Sequence, residues 1–181
     1  MENCYSYTPL ETYVKDLYYS LSIYRPEQLD LKLIAEKLRI RIYYEDMPSE
    51  ASVYAGRSRI ILDERLTPQQ QWQDFGHELC HILRHVGEQY GIPSSFRLLQ
   101  ERQATNFMYH FCIPTFMLEL LSFPWRKSEV IELISKTFNV EYEFAAQRLE
   151  RWILQKESSL FYERIFDPIW HYQVEAINQK K

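Results

Sequence analysis

Two histidines and a glutamate stand at a spacing that suits metal-dependent hydrolysis. The segment His77-Glu78-Leu79-Cys80-His81 has the form HExxH. We predict that it lies inside one helix, because Thr67 is a good N-cap, Pro68 fits the first helical position and an apolar stripe follows. Residues four apart project from one face of a helix, so both imidazoles can converge on a single ion. Glu78 can then reach a water at that ion and act as general base and acid.

This five-residue pattern is specific enough to support a metal site. Average composition predicts the same pattern by chance in roughly one chain of this length in a few hundred. A catalytic zinc ion holds three protein ligands and keeps a fourth position for water, whose pKa falls to about 7. We therefore interpret His77 and His81 as metal ligands and expect Zn²⁺, although Mn²⁺ or Fe²⁺ could load in its place.

A third ligand has to come from elsewhere in the chain. The rotation of a helix carries His85 about 80° away from His77, so a straight helix cannot bring three histidines to one ion. Glu101 begins the next predicted helix, after a loop that can fold back, and would complete a His₂Glu site. The position of Glu101 alone is equally typical of a solvated acidic residue near the start of a helix. The remaining candidates are His85, Glu88, His110 and Cys112, whereas we interpret Cys80 as a small core residue.

The elements around the motif predict an α+β fold: a small sheet of about three strands packed on helices, with a C-terminal helical segment. Predicted helices cover residues 9–24, a stretch opened by Pro26, residues 68 to about 87, residues 96–113 ended by Pro114, and further turns at 116–121. Predicted strands cover residues 39–46, 52–55 and 58–64. The C-terminal part reads as helices with a poorly patterned tail from Lys156. We predict a core at residues 1–124 and a helical extension at 125–181 that packs on it.

Composition narrows the class of protein. The chain has 181 residues, a formal net charge of −4 and only 4 glycines, which disfavours a Gly-rich nucleotide loop. The cysteines (Cys4, Cys80 and Cys112) show no CxxC spacing, and neither a signal peptide nor an apolar membrane span is visible. We therefore expect a cytoplasmic protein without a membrane partner. The 14 tyrosines could fill a core or line a groove.

A DNA-binding role is disfavoured. Arg148, Arg151 and Lys156 could form a basic strip on a C-terminal helix. Glutamates interleave with these cations, and the chain as a whole is acidic. We interpret the strip as a solvated helix face and expect no direct contact with nucleic acid.

Three segments resemble the ImmA/IrrE family of metallo-endopeptidases. The first is DFGHELCHILRH at 74–85, preceded by the hairpin VYAGRSRIILDERL at 53–66. The second is the block formed by Glu101, Ala104, Phe107, either Phe111 or Cys112, Ile113 and Pro114. The third is FNVEYEFAAQRLERW at 138–152. The resemblance covers about residues 25 to 152.

The resemblance implies a zincin-like fold with His77, His81 and Glu101 as zinc ligands and Glu78 as catalytic acid and base. It also implies a cytoplasmic enzyme that cleaves a helix–turn–helix repressor of a mobile element or prophage. The chain departs from the family pattern at Cys80, where glycine is usual, at Thr105, where Asn or Asp is usual, and at Met108, where a small residue is usual. These departures keep an alternative open, in which the fold sequesters a repressor without cutting it. Candidates for stabilising an oxyanion are Tyr54, His85, Tyr90 and Tyr109.

Overall fold

The computed structural model describes residues 5–84 and 93–178, with side chains described as far as residue 161. The helices are α1 Pro9–Ser20, α2 Leu31–Lys37, α3 Pro68–Arg84, α4 Ser94–Cys112, α5 Thr115–Leu118, α6 Lys127–Phe138 and α7 Tyr142–Asn178. The strands are β1 Arg41–Glu45, β2 Glu50–Tyr54 and β3 Arg57–Asp63. This architecture confirms the predicted α+β class with a C-terminal helical segment.

The three strands form one mixed sheet in the order β1-β3-β2. β1 runs parallel to β3, with Arg41 opposite Arg59, and β2 runs antiparallel to β3. Ala55 and Gly56 form the β2–β3 turn with φ of 48° and 72°, the left-handed backbone that a tight two-residue hairpin needs. β2 is consequently an edge strand, and its outer side is available to other groups.

The first two helices are shorter than predicted. A capping box between Thr8 and Glu11 begins α1, but the chain leaves the helix at Leu21, and Ser22 has a φ of 57°. Pro26 opens only a 3₁₀ turn, Pro26–Gln28. The second helix begins at Leu31 because the Asp30 side chain caps it by accepting a hydrogen bond from the Leu33 N–H.

The motif helix begins where it was predicted. Thr67 and Gln70 exchange side-chain and backbone hydrogen bonds, and Pro68 occupies the first position of α3. The helix is described to Arg84, so its predicted end near Gly87 lies outside the described residues. α4 begins at Ser94, which puts Glu101 two turns inside the helix and not at its start as predicted.

The chain end is also more regular than predicted. Helix α7 continues through Lys156 to Asn178, where we predicted a poorly patterned tail. Residues 157–178 include Pro168 and many β-branched and aromatic residues, so intrinsic helix propensity does not explain why the helix continues. Across the described ranges, every helix falls short of the length and hydrophobicity that a bilayer span requires.

An aromatic cluster joins α1, α3 and α4. The Tyr18 ring stacks on Phe111 with centroids 5.2 Å apart, and its hydroxyl donates to the Phe111 carbonyl oxygen over 2.8 Å. Trp72 and Phe75 of α3 lie against the same Phe111 ring, which also stacks on Phe107. These aromatic residues therefore fill the core, and they hold the motif helix against α4.

Candidate metal centre

Three potential ligands from two helices meet at one point. His77 Nε2 lies 3.2 Å from Glu101 Oε2, and His81 Nε2 lies 3.7 Å from Glu101 Oε1. The two histidine Nε2 atoms are 3.3 Å apart. Tetrahedral ligands at about 2.0–2.1 Å from zinc stand about 3.3 Å from one another, so the observed separations suit one small ion. This group could bind a metal ion.

The three side chains differ in exposure, which leaves the centre open on one side. The His81 side chain is 7% exposed and that of His77 is 22% exposed, whereas the Glu101 side chain is 48% exposed. A closed structural zinc site would surround the ion with four protein ligands. Among the described residues the group offers three ligands and is partly exposed, which is typical of a site that keeps a position for water or substrate.

Glu78 projects beside this group in a partly buried position. Burial is the largest cause that raises the pKa of Glu78 to about 8, and the charges of Asp74, Glu101 and Glu50 act in the same direction. The backbone N–H of Ala51 donates to the Glu78 carboxylate and partly offsets them. A carboxyl group whose pKa lies close to neutral pH can both accept and return a proton.

The loop before β2 fixes that strand against the motif helix. The Ser49 hydroxyl donates to Asp74 Oδ2 over 2.6 Å, and the Asp63 N–H donates to Ser49 Oγ over 3.1 Å. Asp74 lies one helical turn before Glu78. One serine therefore joins the end of β3, the start of β2 and helix α3, and it aligns the outer edge of β2 with Glu78.

A glycine sets the distance between the two ligand-bearing helices. A Cβ atom at Gly76 would lie 2.9 Å from Cys112 Sγ and 3.1 Å from Phe111 Cδ1. Only a residue without a side chain permits this approach of α3 to α4. Since Gly76 precedes His77, the close approach brings Glu101 of α4 within reach of both histidines.

The other candidate ligands do not join this group. His110 lies beside Glu11, with Nδ1 3.7 Å from its Oε1, and Cys112 is buried against Trp72. Cys80 is fully buried, as predicted for a core residue. His85 and Glu88 lie outside the described residues.

The surroundings of the two described candidates for oxyanion stabilisation, Tyr54 and Tyr109, do not support that role. The Tyr109 hydroxyl donates to the Gln147 side chain, away from the metal group, and the Tyr54 side chain is largely exposed at the hairpin. Tyr90, like His85, falls in the stretch that the structure leaves undescribed. The hydrogen bond from the Ala51 N–H to Glu78 was not predicted from the sequence, because a backbone donor leaves no signal in residue type.

The interpretation of Arg148 as part of a solvated basic face is wrong. Its side chain is 0% exposed, and its guanidinium lies 3.7 Å from Glu11 Oε1 and donates to Thr115 Oγ1 over 2.7 Å. Helix periodicity could not show this, because the partner carboxylate comes from the other end of the chain. Without Arg148, the predicted strip on α7 is not continuous.

A mixed three-stranded sheet, an HExxH helix beneath its edge and a carboxylate from the following helix define a metallopeptidase-like domain. The chain belongs to the peptidase family M78, described as the IrrE N-terminal-like domain, whose family model matches residues 35–150. The reaction associated with this family is that of a metallopeptidase.

Similar proteins come from bacteria. The chain is 43% identical to the phage-like element PBSX protein XkdA of Bacillus subtilis over 156 residues, which are 86% of this chain and 79% of that protein. It is 37% identical to the uncharacterized protein YqaB of Bacillus subtilis, over 87% of this chain and 91% of that protein. A solved structure of a Mycobacterium tuberculosis transcriptional regulator shares the fold, with a TM-score of 0.57 and 14% identity, over 81% of this chain and 57% of that chain.

Proposed function

We propose that this protein is a zinc-dependent endopeptidase that cleaves a helix–turn–helix repressor of a mobile element or prophage. The observation that carries the proposal is the convergence of His77, His81 and Glu101, with the Glu78 carboxylate beside them. When bound, zinc supplies Lewis-acid polarisation of the scissile carbonyl and an acidified water.

The protein's own residues supply positioning and proton transfer. His77 and His81 are held by helix α3 and Glu101 by α4, so the ligand set is arranged before substrate arrives. Glu78 accepts a proton from the attacking water and returns it to the leaving amine nitrogen. The hydrogen bond from Ala51 orients the Glu78 carboxylate for this exchange.

The edge strand supports an extended polypeptide as substrate. Ala51 directs its N–H away from β3 and toward Glu78, so the outer side of β2 borders the metal group. Side-by-side pairing with such an edge gives main-chain hydrogen bonds to any extended segment. The choice of a repressor as the protein substrate rests on the family resemblance and on the similar phage-like element protein.

The test combines the zinc-loaded protein with purified helix–turn–helix repressors from the mobile elements of its source organism, and it detects fragments by intact-mass spectrometry. We expect Glu78→Gln to lower the cleavage rate by about 10² to 10⁴-fold, because the proton carrier is lost while the metal ligands remain. The matched control is Glu36→Gln, an exposed glutamate on α2.

Each outcome discriminates between two functions. Fragments with the wild type and the control, and none with Glu78→Gln, support the peptidase. A stable repressor complex without fragments supports the alternative of a non-cleaving anti-repressor, to which the unusual residues Cys80 and Thr105 gave weight. Cleavage by Glu78→Gln at the wild-type rate contradicts the proposed role of Glu78.

A further inference from the structure

A second cavity lies apart from the metal group. It has a volume of about 570 Å³ and is enclosed by the first residues of α1, the end of α3, and helices α4 and α7. Its polar lining includes Arg84, Gln103, Asn106, His110, Arg151 and Gln155. None of the three candidate metal ligands lines it. A volume of this size suits a small organic molecule better than a lone ion.

The lining is positive in an acidic protein. The chain has a formal net charge of −4, yet two arginines and no carboxylate are found among the described residues that line the cavity. The Arg84 guanidinium lies 4.9 Å from the centre of the Tyr13 ring, and that of Arg151 lies 4.1 Å from the centre of the Tyr109 ring. Within the described ranges neither arginine forms an ion pair with a carboxylate.

These two arginines differ from others in the protein. Arg65 and Arg126 each pair with an acidic side chain. Within the part of the chain that the structure describes, Arg151 makes one side-chain hydrogen bond, a long one of 3.4 Å to Asn106 Oδ1. The planar aromatic contacts fix the guanidiniums and leave their N–H groups available, which is the arrangement that binds carboxylate or phosphate oxygens.

A buried imidazole forms part of the same cavity. His110 is 7% exposed, and among the described residues its Nδ1 atom has no hydrogen-bond partner, with Glu11 Oε1 3.7 Å away. Glu11 itself accepts hydrogen bonds from Tyr5, Thr115 and Gln155. Among the described residues that line the cavity, His110 is the buried polar side chain.

We propose that this cavity binds a small molecule through a phosphate or carboxylate group, which Arg84 and Arg151 hold from two sides with His110 at the floor. The N-terminal end of α1 borders the cavity and adds favourable potential for an anion. Arg84 lies one helical turn beyond His81, so the ligand would lie against the C-terminal end of the helix that carries two of the candidate metal ligands.

The test measures binding of inorganic phosphate and, separately, of succinate to the full-length protein by isothermal titration calorimetry. Both zinc-loaded and chelator-treated protein are used, because an anion that merely coordinates the metal would bind only the zinc-loaded form. We expect saturable binding of at least one probe in both forms. Phosphate alone identifies a phosphate-bearing ligand, and succinate alone identifies a carboxylate.

Arginine variants locate the site. Arg84→Gln and Arg151→Gln should each weaken binding about tenfold or more, because a charge-assisted hydrogen bond is lost. Both side chains are exposed, and circular dichroism checks that the variants fold. Arg57→Gln is the matched control, since Arg57 is exposed at the hairpin and does not line the cavity. The proposal is overturned if neither probe saturates at tens of millimolar, or if Arg57→Gln weakens binding as much as the cavity variants.

Discussion

Glu101 contributes a single carboxylate to two histidines from a neighbouring helix, and metal affinity should depend on it. Replacing it with glutamine keeps the shape but removes the charge that offsets a divalent ion. We expect Glu101→Gln to weaken zinc binding at least tenfold, measured by competition with a chromophoric chelator. Glu36→Gln makes the same chemical change on an exposed face and should bind zinc like the wild type. Equal affinity in both variants would show that Glu101 is not a ligand.

His110 should make stability depend on pH. Burial is the largest cause that lowers the pKa of His110 from 6.5 to about 4; the Arg148 and Arg151 charges lower it further, and Glu11 opposes them. The folded state therefore resists protonation that the unfolded chain accepts. The contribution of neutral His110 to the free energy of unfolding is complete above pH 6.5. It is lost as the pH falls from 6.5 to about 4, and the total loss is up to about 3 kcal/mol.

The measurement is the free energy of unfolding in urea at several pH values between 7.5 and 4. The wild type should lose stability across this range, and His110→Gln should lose less because the amide does not titrate. Parallel curves for the two proteins would contradict this assignment. The buried Glu11 carboxyl titrates lower: burial alone would raise its pKa, but hydrogen bonds from Thr115, Tyr5 and Thr8 hold it at about 2.

The sequence predicted some of these residues better than others. His77 and His81 could be placed together because helix geometry alone fixes their spacing. Glu101 could be named from a pattern, but its contact with both histidines depends on how α3 packs against α4. Arg148 was misassigned because charge alternation along one helix does not show which turn faces a buried carboxylate on another.

At the scale of elements, Gly76 controls how closely α3 approaches α4. In Gly76→Ala the new methyl group would meet Cys112 Sγ and Phe111, so α4 must move away and carry Glu101 with it. We expect a loss of about 1–3 kcal/mol in the free energy of unfolding, as overpacking typically costs. We also expect weaker zinc binding, and both quantities can be measured on one preparation.

Gly56→Ala is the control for Gly76→Ala, because it also replaces a glycine but does not change the spacing of α3 and α4. Gly56 has a φ of 72° with nothing within 4 Å of an added Cβ, so alanine there strains only the hairpin turn. This variant should lose stability while it binds zinc normally. If both glycine variants retained wild-type zinc affinity, the spacing of α3 and α4 would not control the metal group.

Element boundaries followed the sequence wherever a cap was explicit. Thr67 and Pro68 placed the start of α3 correctly, because N-capping is a local interaction. Helix α2 was predicted too early, since Pro26 can open a 3₁₀ turn as well as a helix and the effective cap is Asp30. The end of α7 was missed because a helix without an apolar repeat shows no periodicity.

For the whole molecule, the Glu11–Arg148 pair joins the first helix to the last. Glu11→Gln leaves the fully buried Arg148 without a carboxylate partner, and we expect a loss of about 3–5 kcal/mol in the free energy of unfolding. The double variant Glu11→Gln with Arg148→Met removes both charges and should be less destabilised than the sum of the two single variants.

An exposed ion pair provides the comparison for the single and double variants of Glu11 and Arg148. Glu150 lies on the same helix as Arg148 and pairs with Lys127 over 2.9 Å, with both side chains about 60% exposed. Glu150→Gln should change stability by no more than about 1 kcal/mol. Additive effects of the Glu11 and Arg148 changes would indicate that the two residues are not coupled.

The same pair has a consequence for biosynthesis. Helix α1 leaves the ribosome before α7, so the Glu11 carboxylate meets the Arg148 guanidinium only after α7 has been translated. Until then, a growing chain holds Glu11 without the guanidinium that it faces in the folded protein. Helix α1 should therefore reach its full docking stability only after α7 has emerged from the ribosome.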